Sequence, residues 1–137
     1  MKKILGLAFL FTLIFSACSN SKDGSQTNES EKVSVSVISL DPMEFRNKSA
    51  KGIILDVRTP QEIAQGKIPG SQALDFYDAD FLNKATQLPK DAEIYIYCAV
   101  GARSQEAANQ MIQQGYTKVF HLQGGIQAWN MKGLPIE

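Results

Sequence analysis

Five short apolar runs, separated by segments with helical character, constrain the fold of this chain more than any other feature. Strands that alternate with helices pair in parallel, because a parallel pair needs a long crossover connection and a helix supplies it. The pattern therefore predicts an α/β fold, with a five-stranded, mainly parallel sheet and helices on both faces. The predicted strands are 33–38, 52–57, 71–76, 93–98 and 118–122.

The segments between these runs carry signals for the ends of helices. Asp41 is a predicted N-cap, and Pro42 follows it at the first helical position. Asp78 precedes a second helical segment, and Gly115 ends a long third one. A last helix is predicted to end at Gly133. We read the apolar residues of these helices as core.

The N-terminal residues do not belong to the predicted domain. Lys2 and Lys3 precede an apolar run over 4–15, which is typical of a secretory signal peptide. At about twelve residues, the run is shorter than the roughly twenty that a membrane-spanning helix needs. We therefore expect residues 1–17 to be a cleaved signal peptide and the protein to be exported.

Small residues and a cysteine follow the apolar run. Ser16, Ala17 and Cys18 resemble the end of a bacterial lipoprotein signal, whose cysteine is lipidated and becomes the new N-terminus. The resemblance implies a lipid anchor on Cys18 that holds the protein at a membrane of the cell envelope. Residues 18–32 are polar and are predicted to form a flexible tether. The alternative is a plain exported protein with a stray cysteine.

Composition and charge limit the classes of partner. The chain has 14 basic and 14 acidic residues, and 44% of its residues are hydrophobic. This balance suggests neither disorder nor a nucleic-acid partner. We expect one globular domain, 33–137, and a monomer.

Cys98 is the candidate reactive residue of this domain. It ends the predicted central strand 93–98, and ligands bind at the carboxyl edge of such sheets. The loop of small residues after it, followed by a helix, can direct backbone amides and a helix N-terminus at a thiolate or a bound anion. Arg103 adds a guanidinium that can hold an oxyanion. The alternative is a small buried core residue, but an unpaired thiol in an exported protein is a liability unless it is used.

Three separate stretches, 55–75, 98–104 and 122–137, resemble the signature, the active-site loop and the ending of rhodanese-like domains. The resemblance covers 33–137 and implies a sulfurtransferase. In such an enzyme Cys98 takes a sulfane sulfur from a donor such as thiosulfate or a persulfide, and passes it to cyanide or a thiol. No metal or organic cofactor is needed for this covalent chemistry. The resemblance implies a substrate cradle formed by Ala99, Val100, Gly101, Ala102, Arg103 and Ser104.

Some residues depart from the family pattern. Ala99, Val100 and Ala102 are uncharged, so Arg103 is the only expected cation of the cradle, which puts thiosulfate as the physiological donor in question. Lys67, where the family commonly has histidine, is expected to be structural or peripheral.

Three further polar residues are candidates for the site. Asp56 and Arg58 form either an acid and an anion clamp or, as we favour, an architectural group in which Arg58 pairs with Glu62. His121 is expected to be structural, because nothing in the sequence brings it to Cys98.

Rival functions remain open at this point. Phosphatases and arsenate reductases of the same fold also use a cysteine loop, but the loop between Cys98 and Arg103 has four residues, whereas the family's phosphatases have five. A non-catalytic binding module or a persulfide carrier would use the same loop. A thiol–disulfide oxidoreductase would need a second cysteine in 33–137, and the sequence has none there.

Overall fold

A computed structural model describes residues 34–137 of the protein. The predicted signal peptide 1–17, the predicted lipidation site Cys18 and the predicted tether 18–32 lie outside the described residues. Within 34–137, no helix is long and apolar enough to cross a membrane.

The sheet has five strands in the order β1-β5-β4-β2-β3, and all four neighbouring pairs are parallel. This confirms the predicted fold class. The central strand is β4, in which every residue is buried, as its uninterrupted apolar sequence predicts. The strands are β1 (Ile38–Leu40), β2 (Ile53–Asp56), β3 (Gln72–Ala73), β4 (Ile94–Tyr97) and β5 (Val119–Leu122).

Two predicted strand boundaries are wrong. The run 33–38 was predicted as a strand, but β1 begins only at Ile38, because that residue is the first to pair with β5, opposite Phe120. The run 71–76 contributes only the two exposed residues of β3, since this edge strand pairs with β2 alone.

Within the described residues, four helices lie between successive strands and a fifth follows β5. The Asp41 carboxylate accepts hydrogen bonds from the amides of Met43 (2.8 Å) and Glu44 (2.9 Å), which confirms the predicted cap. Asp78 does not cap its helix directly; it accepts from the amide of Asp80, which precedes the helix (2.9 Å). The helices are α1 (Pro42–Ser49), α2 (Pro60–Ile63), α3 (Phe81–Ala85), α4 (Ala102–Gln113) and α5 (Gly125–Met131).

The core forms two clusters because successive side chains of a strand point to opposite faces of the sheet. Ile94, Ile96 and Cys98 belong to one cluster, which includes residues of α3 and α4. Tyr95 and Tyr97 belong to the other, with residues of α1 and α5. Cys98 therefore lies on the face of the sheet that α4 covers, immediately after the most buried strand.

Candidate active site

The Cys98 thiol lies at the turn between β4 and α4. The residue is 1% exposed, and the Gly101 amide donates a hydrogen bond to its sulfur over 3.1 Å. Gly101 precedes α4 with a φ of 104°, a backbone conformation that residues with a side chain rarely adopt. The glycine thus lets the loop curl back over the sulfur before the helix begins.

The surroundings of Cys98 favour its ionised form. Burial opposes ionisation, but hydrogen bonds from Ser104, Gly101 and Val100 outweigh it and lower the pKa of the thiol below its ordinary value. A thiol with a lowered pKa is more often a thiolate, which is the nucleophilic form. These donors belong to the predicted cradle.

The cradle residues take different positions around the sulfur. Gly101 and Ser104 face it, and Ser104 is completely buried. The Val100 side chain is 55% exposed at the surface of the loop. The carbonyl of Ala99 points away and accepts from the amide of Gln127 (3.2 Å). Ala102 is exposed in the first turn of α4.

The start of α5 supports the loop from behind. The Ile126 amide donates to the Cys98 carbonyl over 2.8 Å. A Cβ atom on Gly125 would lie 2.5 Å from the Cys98 carbonyl oxygen and 2.5 Å from the Ala99 carbonyl carbon, so only glycine fits there. In the sequence, Gly124 and Gly125 were identified only as part of the typical ending of the domain. The contact of Gly125 with the active-site loop was not predicted.

Arg103 does not stand alone beside the thiol. Its Nη1 and Nη2 atoms donate to the two Glu62 carboxylate oxygens over 2.8 and 2.6 Å. The guanidinium carbon lies 5.5 Å from the centre of the exposed Tyr77 ring. Arg103 was expected to be the only cation offered to a bound anion, and the structure shows that a carboxylate already shares that cation.

Arg58 has a different partner from the expected one. Its side chain pairs with the Asp56 carboxylate, with Nη2 2.6 Å from Oδ2. It reaches Glu62 only through the backbone carbonyl, at 3.3 Å from Nη1. The expected Arg58–Glu62 ion pair is therefore wrong, whereas the architectural role is supported. The two side chains are 5% and 0% exposed, and the Tyr97 hydroxyl donates to the same carboxylate.

His121 lies one side chain away from the cradle. Its Nδ1 is 3.4 Å from the Ser104 hydroxyl, and its Nε2 is 2.8 Å from the Ser39 hydroxyl. Burial lowers the pKa of His121. Both ring nitrogens of His121 thus contact serine hydroxyls, which agrees with the expectation that His121 is structural. The contact of His121 with Ser104 could not be predicted from local sequence, because it depends on the pairing of β5 with β4.

A cavity of about 300 Å³ lies beside the loop. Glu62 and Ala99 line it, together with the side chains of Gln65, Gln127 and Asn130. Arg58, Ile126 and Ile136 line it as well, so the cavity combines uncharged amides and apolar side chains with one guanidinium and one carboxylate. Among residues 34–137, no group of acidic, histidine or cysteine side chains is arranged to hold a metal ion.

Comparison with known proteins identifies the family. The model of the rhodanese-like domain matches residues 41–132. The chain belongs to the rhodanese-like family. It is 45% identical over 84 residues to a sulfurtransferase of Allochromatium vinosum, covering 61% of this chain and 77% of that protein. It is 40% identical over 90 residues to the thiosulfate sulfurtransferase GlpE of Pseudomonas aeruginosa, covering 64% and 79%.

Solved structures agree with this assignment of the fold. The chain is similar to a rhodanese-related protein of Thermoplasma volcanium, with a TM-score of 0.66 and 28% identity over 73% of this chain and 97% of that one. It is also similar to a Rhodopseudomonas palustris protein described as a possible tyrosine phosphatase, with a TM-score of 0.62 and 30% identity over 74% and 85%. With the relatives named above, these matches support a rhodanese-type sulfurtransferase.

Proposed function

We propose that the protein transfers sulfane sulfur through a persulfide on Cys98. The observation that carries the proposal is the sulfur at the β4–α4 turn, with the Gly101 amide 3.1 Å away and a lowered pKa. A thiolate held by backbone amides at the start of a helix is a suitable nucleophile. The same amides can stabilise the negative charge of a terminal persulfide sulfur.

The reaction has two steps. In the first, the Cys98 thiolate attacks the sulfane sulfur of the donor. A new S–S bond forms and the S–S bond of the donor breaks. When the donor is thiosulfate, sulfite leaves with the bonding electron pair. In the second, cyanide or a thiolate attacks the outer sulfur, and Cys98 leaves as the thiolate. The chain's contribution is to hold Cys98 ionised and to place Gly101 and Ser104 at the charge that moves between the sulfur atoms.

Turnover with cyanide tests this proposal. The wild-type protein should convert donor and cyanide to thiocyanate over many equivalents, whereas Cys98→Ser should give none above the uncatalysed rate, because an alcohol cannot form the persulfide. Circular dichroism of the variant should match the wild type, since the volume change is small. Equal rates for the two proteins would exclude Cys98 as the sulfur carrier. A single equivalent of thiocyanate from the wild type would indicate a persulfide carrier in place of an enzyme.

Phosphate ester hydrolysis is the main competing activity. The loop from Cys98 to Arg103 encloses four residues and presents an arginine that already holds Glu62. A phosphate dianion would have to displace that carboxylate. We therefore expect no hydrolysis of p-nitrophenyl phosphate above background, and hydrolysis that is lost in Cys98→Ser would contradict the proposed function.

We propose further that the protein is exported and anchored to a cell-envelope membrane by lipid on Cys18, and that the domain is a monomer. The proposal rests on the sequence around 1–18. Full-length protein expressed in bacteria should incorporate a labelled fatty acid, and Cys18→Ser should incorporate none. Equal labelling of both proteins would exclude lipidation at that residue. Analytical ultracentrifugation of the domain tests the monomer.

A further inference from the structure

The carboxylate beside Arg103 is held independently of any substrate. One oxygen of Glu62 accepts from the Thr59 amide and the Thr59 hydroxyl, both at 3.0 Å, as part of the cap of α2. Both oxygens accept from Arg103. The hydrogen bond from Arg103 lowers the pKa of Glu62 to about 2, so the group is ionised throughout the neutral range. The cap therefore fixes a permanent negative charge next to the candidate active site.

This charge changes what the site offers to a donor. Arg103 and Glu62 together carry no net charge, and the Cys98 thiolate then gives the site a charge of minus one. The Cys98 charge is among the causes that raise the pKa of Arg103, so the three groups interact. A doubly charged donor meets repulsion from two anions and attraction from one cation that is already bound. A singly charged donor meets half of that repulsion.

We propose that Glu62 is a specificity-determining residue that selects singly charged or uncharged sulfane donors carrying an organic group over the thiosulfate dianion. The inference rests on the proposed function of Cys98. The organic group of such a donor lowers the donor's charge and also has a place to bind beside the loop. In a thiosulfonate, R–SO₂–S⁻, an organic group replaces one oxygen of thiosulfate and removes one negative charge; in a persulfide, R–S–SH, it carries the sulfur directly.

The cavity beside the loop suits that organic group. Its volume of about 300 Å³ is at the lower end of small-molecule sites, and it includes Ala99, the residue next to the nucleophile. Gln65, Gln127 and Asn130 provide uncharged hydrogen-bonding groups. Glu62 and Arg58 both line this cavity, and each is paired with an opposite charge, so the cavity carries no net charge and suits an uncharged organic group. The charge and the shape of the site thus favour the same class of donor.

Both donor types react with Cys98 without any further reactant. With a thiosulfonate, the Cys98 thiolate attacks the terminal sulfur, an S–S bond forms, and the sulfinate R–SO₂⁻ leaves with the electron pair. With a persulfide, the thiolate attacks the outer sulfur, the proton stays on that sulfur, and R–S⁻ leaves. Each product is the Cys98 persulfide that the proposed function requires.

The experiment compares two donors that differ by one charge, thiosulfate and methanethiosulfonate, in the wild type and in Glu62→Gln. The wild type should use methanethiosulfonate with a higher kcat/KM by on the order of tenfold. In Glu62→Gln the kcat/KM for thiosulfate should rise by on the order of tenfold, while that for methanethiosulfonate changes less than about threefold. Glutamine keeps an oxygen that can accept from Thr59 and Arg103.

Asp91→Asn is the matched control. Asp91 is exposed and precedes β4 at the end opposite Cys98, so the variant makes the same change in net charge far from the site. It should leave both donors unchanged. An equal gain for thiosulfate in Asp91→Asn and Glu62→Gln, or no gain in Glu62→Gln, would overturn the proposal. If neither donor forms a persulfide on the wild type, the proposed function itself has failed.

Salt dependence provides a second measurement that does not need the variant to fold. If repulsion limits thiosulfate, its kcat/KM in the wild type should rise between low and moderate ionic strength, because salt screens exposed charges. The rate with methanethiosulfonate should rise less. A thiosulfate rate that falls with salt would show net attraction to the site and would overturn the proposal.

Discussion

Two arginine–carboxylate pairs flank the Cys98 loop, and they differ mainly in exposure. The side chains of Arg58 and Asp56 are 5% and 0% exposed, and Tyr97 completes their hydrogen bonds. The side chains of Arg103 and Glu62 are 18% and 32% exposed. Glu62 lines the cavity beside the loop, as Arg58 also does. The same chemical pairing therefore occurs once inside the protein and once at the entrance to the site.

The buried pair supports the fold, whereas the more exposed pair influences which donors the site prefers. A buried pair cannot lose one partner without leaving an unpaired charge in the core, so Asp56 and Arg58 hold the carboxyl end of β2 in place. A pair that reaches solvent contributes little to stability but can change its partners when a charged substrate arrives. We therefore expect substitutions in the first pair to change the free energy of unfolding, and substitutions in the second to change the preference among donors.

The largest expected effect is on stability. Asp56→Ala should lower the free energy of unfolding by about 3–5 kcal/mol, because it leaves the Arg58 guanidinium buried without its carboxylate. Urea unfolding measures this difference. The exposed Asp78–Lys84 pair supplies the control, since solvent screens this pair and Asp78→Ala should lower the free energy of unfolding much less. A similar loss of free energy of unfolding in the two variants would show that the buried pair supports the fold no more than a surface pair does.

A backbone substitution extends the comparison to the support behind the loop. Gly125→Ala should cost about 2–3 kcal/mol and reduce sulfur transfer, because the new Cβ would displace the Cys98 and Ala99 carbonyls. Gly133 has a similar φ, +65° against +60°, and open space around its Cβ position. Gly133→Ala should therefore cost only about 1–2 kcal/mol and leave activity intact. Steady-state kinetics and urea unfolding of both variants measure the difference.

The entrance pair is tested by removing its cation. Arg103→Ala leaves the Glu62 charge uncompensated, so kcat/KM for thiosulfate should fall by about 10- to 100-fold, the effect of losing a charge-assisted hydrogen bond of about 1.5–3 kcal/mol. Methanethiosulfonate should suffer less. The ratio of the two donors in one variant guards against a general folding defect. Equal losses for both donors would mean that Arg103 shapes the loop and does not act on the charge of the donor.

The smallest expected effect is the pH dependence of the entrance pair. The pKa of Glu62 in the folded protein is about 2, below its usual 4.5, so ionised Glu62 stabilises the fold above pH 4.5. That contribution should disappear as the pH falls from 4.5 towards 2. The wild type should thus exceed Glu62→Gln in free energy of unfolding by about 1 kcal/mol at pH 7, with the difference shrinking below pH 4.5. A difference that does not depend on pH would show that Glu62 acts through its shape alone.

The sequence predicted the fold and the position of Cys98 because both depend on local signals. Apolar runs, the Asp41 cap and the small residues after Cys98 are each readable within a few positions. Strand ends were predicted less well. The start of β1 depends on which residues find a partner on β5, and that pairing is not encoded in the run 33–38 itself.

The partners of the charged side chains could not be predicted in the same way. Glu62 and Arg103 are 41 residues apart and lie on different helices, so only the folded chain brings them together. The expected Arg58–Glu62 ion pair does not form, because Asp56, two residues before Arg58 at the end of β2, already holds Arg58. The Ser104–His121 contact likewise depends on strand order.

The most direct test of the account is the intact mass of the domain after exposure to a sulfane donor. The proposed mechanism predicts that wild-type protein gains the mass of one sulfur atom, that cyanide removes it, and that Cys98→Ala gains nothing under the same conditions. This measurement requires no knowledge of the acceptor. A wild-type protein that gains no sulfur from any donor, or a Cys98→Ala protein that gains as much, would contradict the assignment of Cys98 as the sulfur carrier.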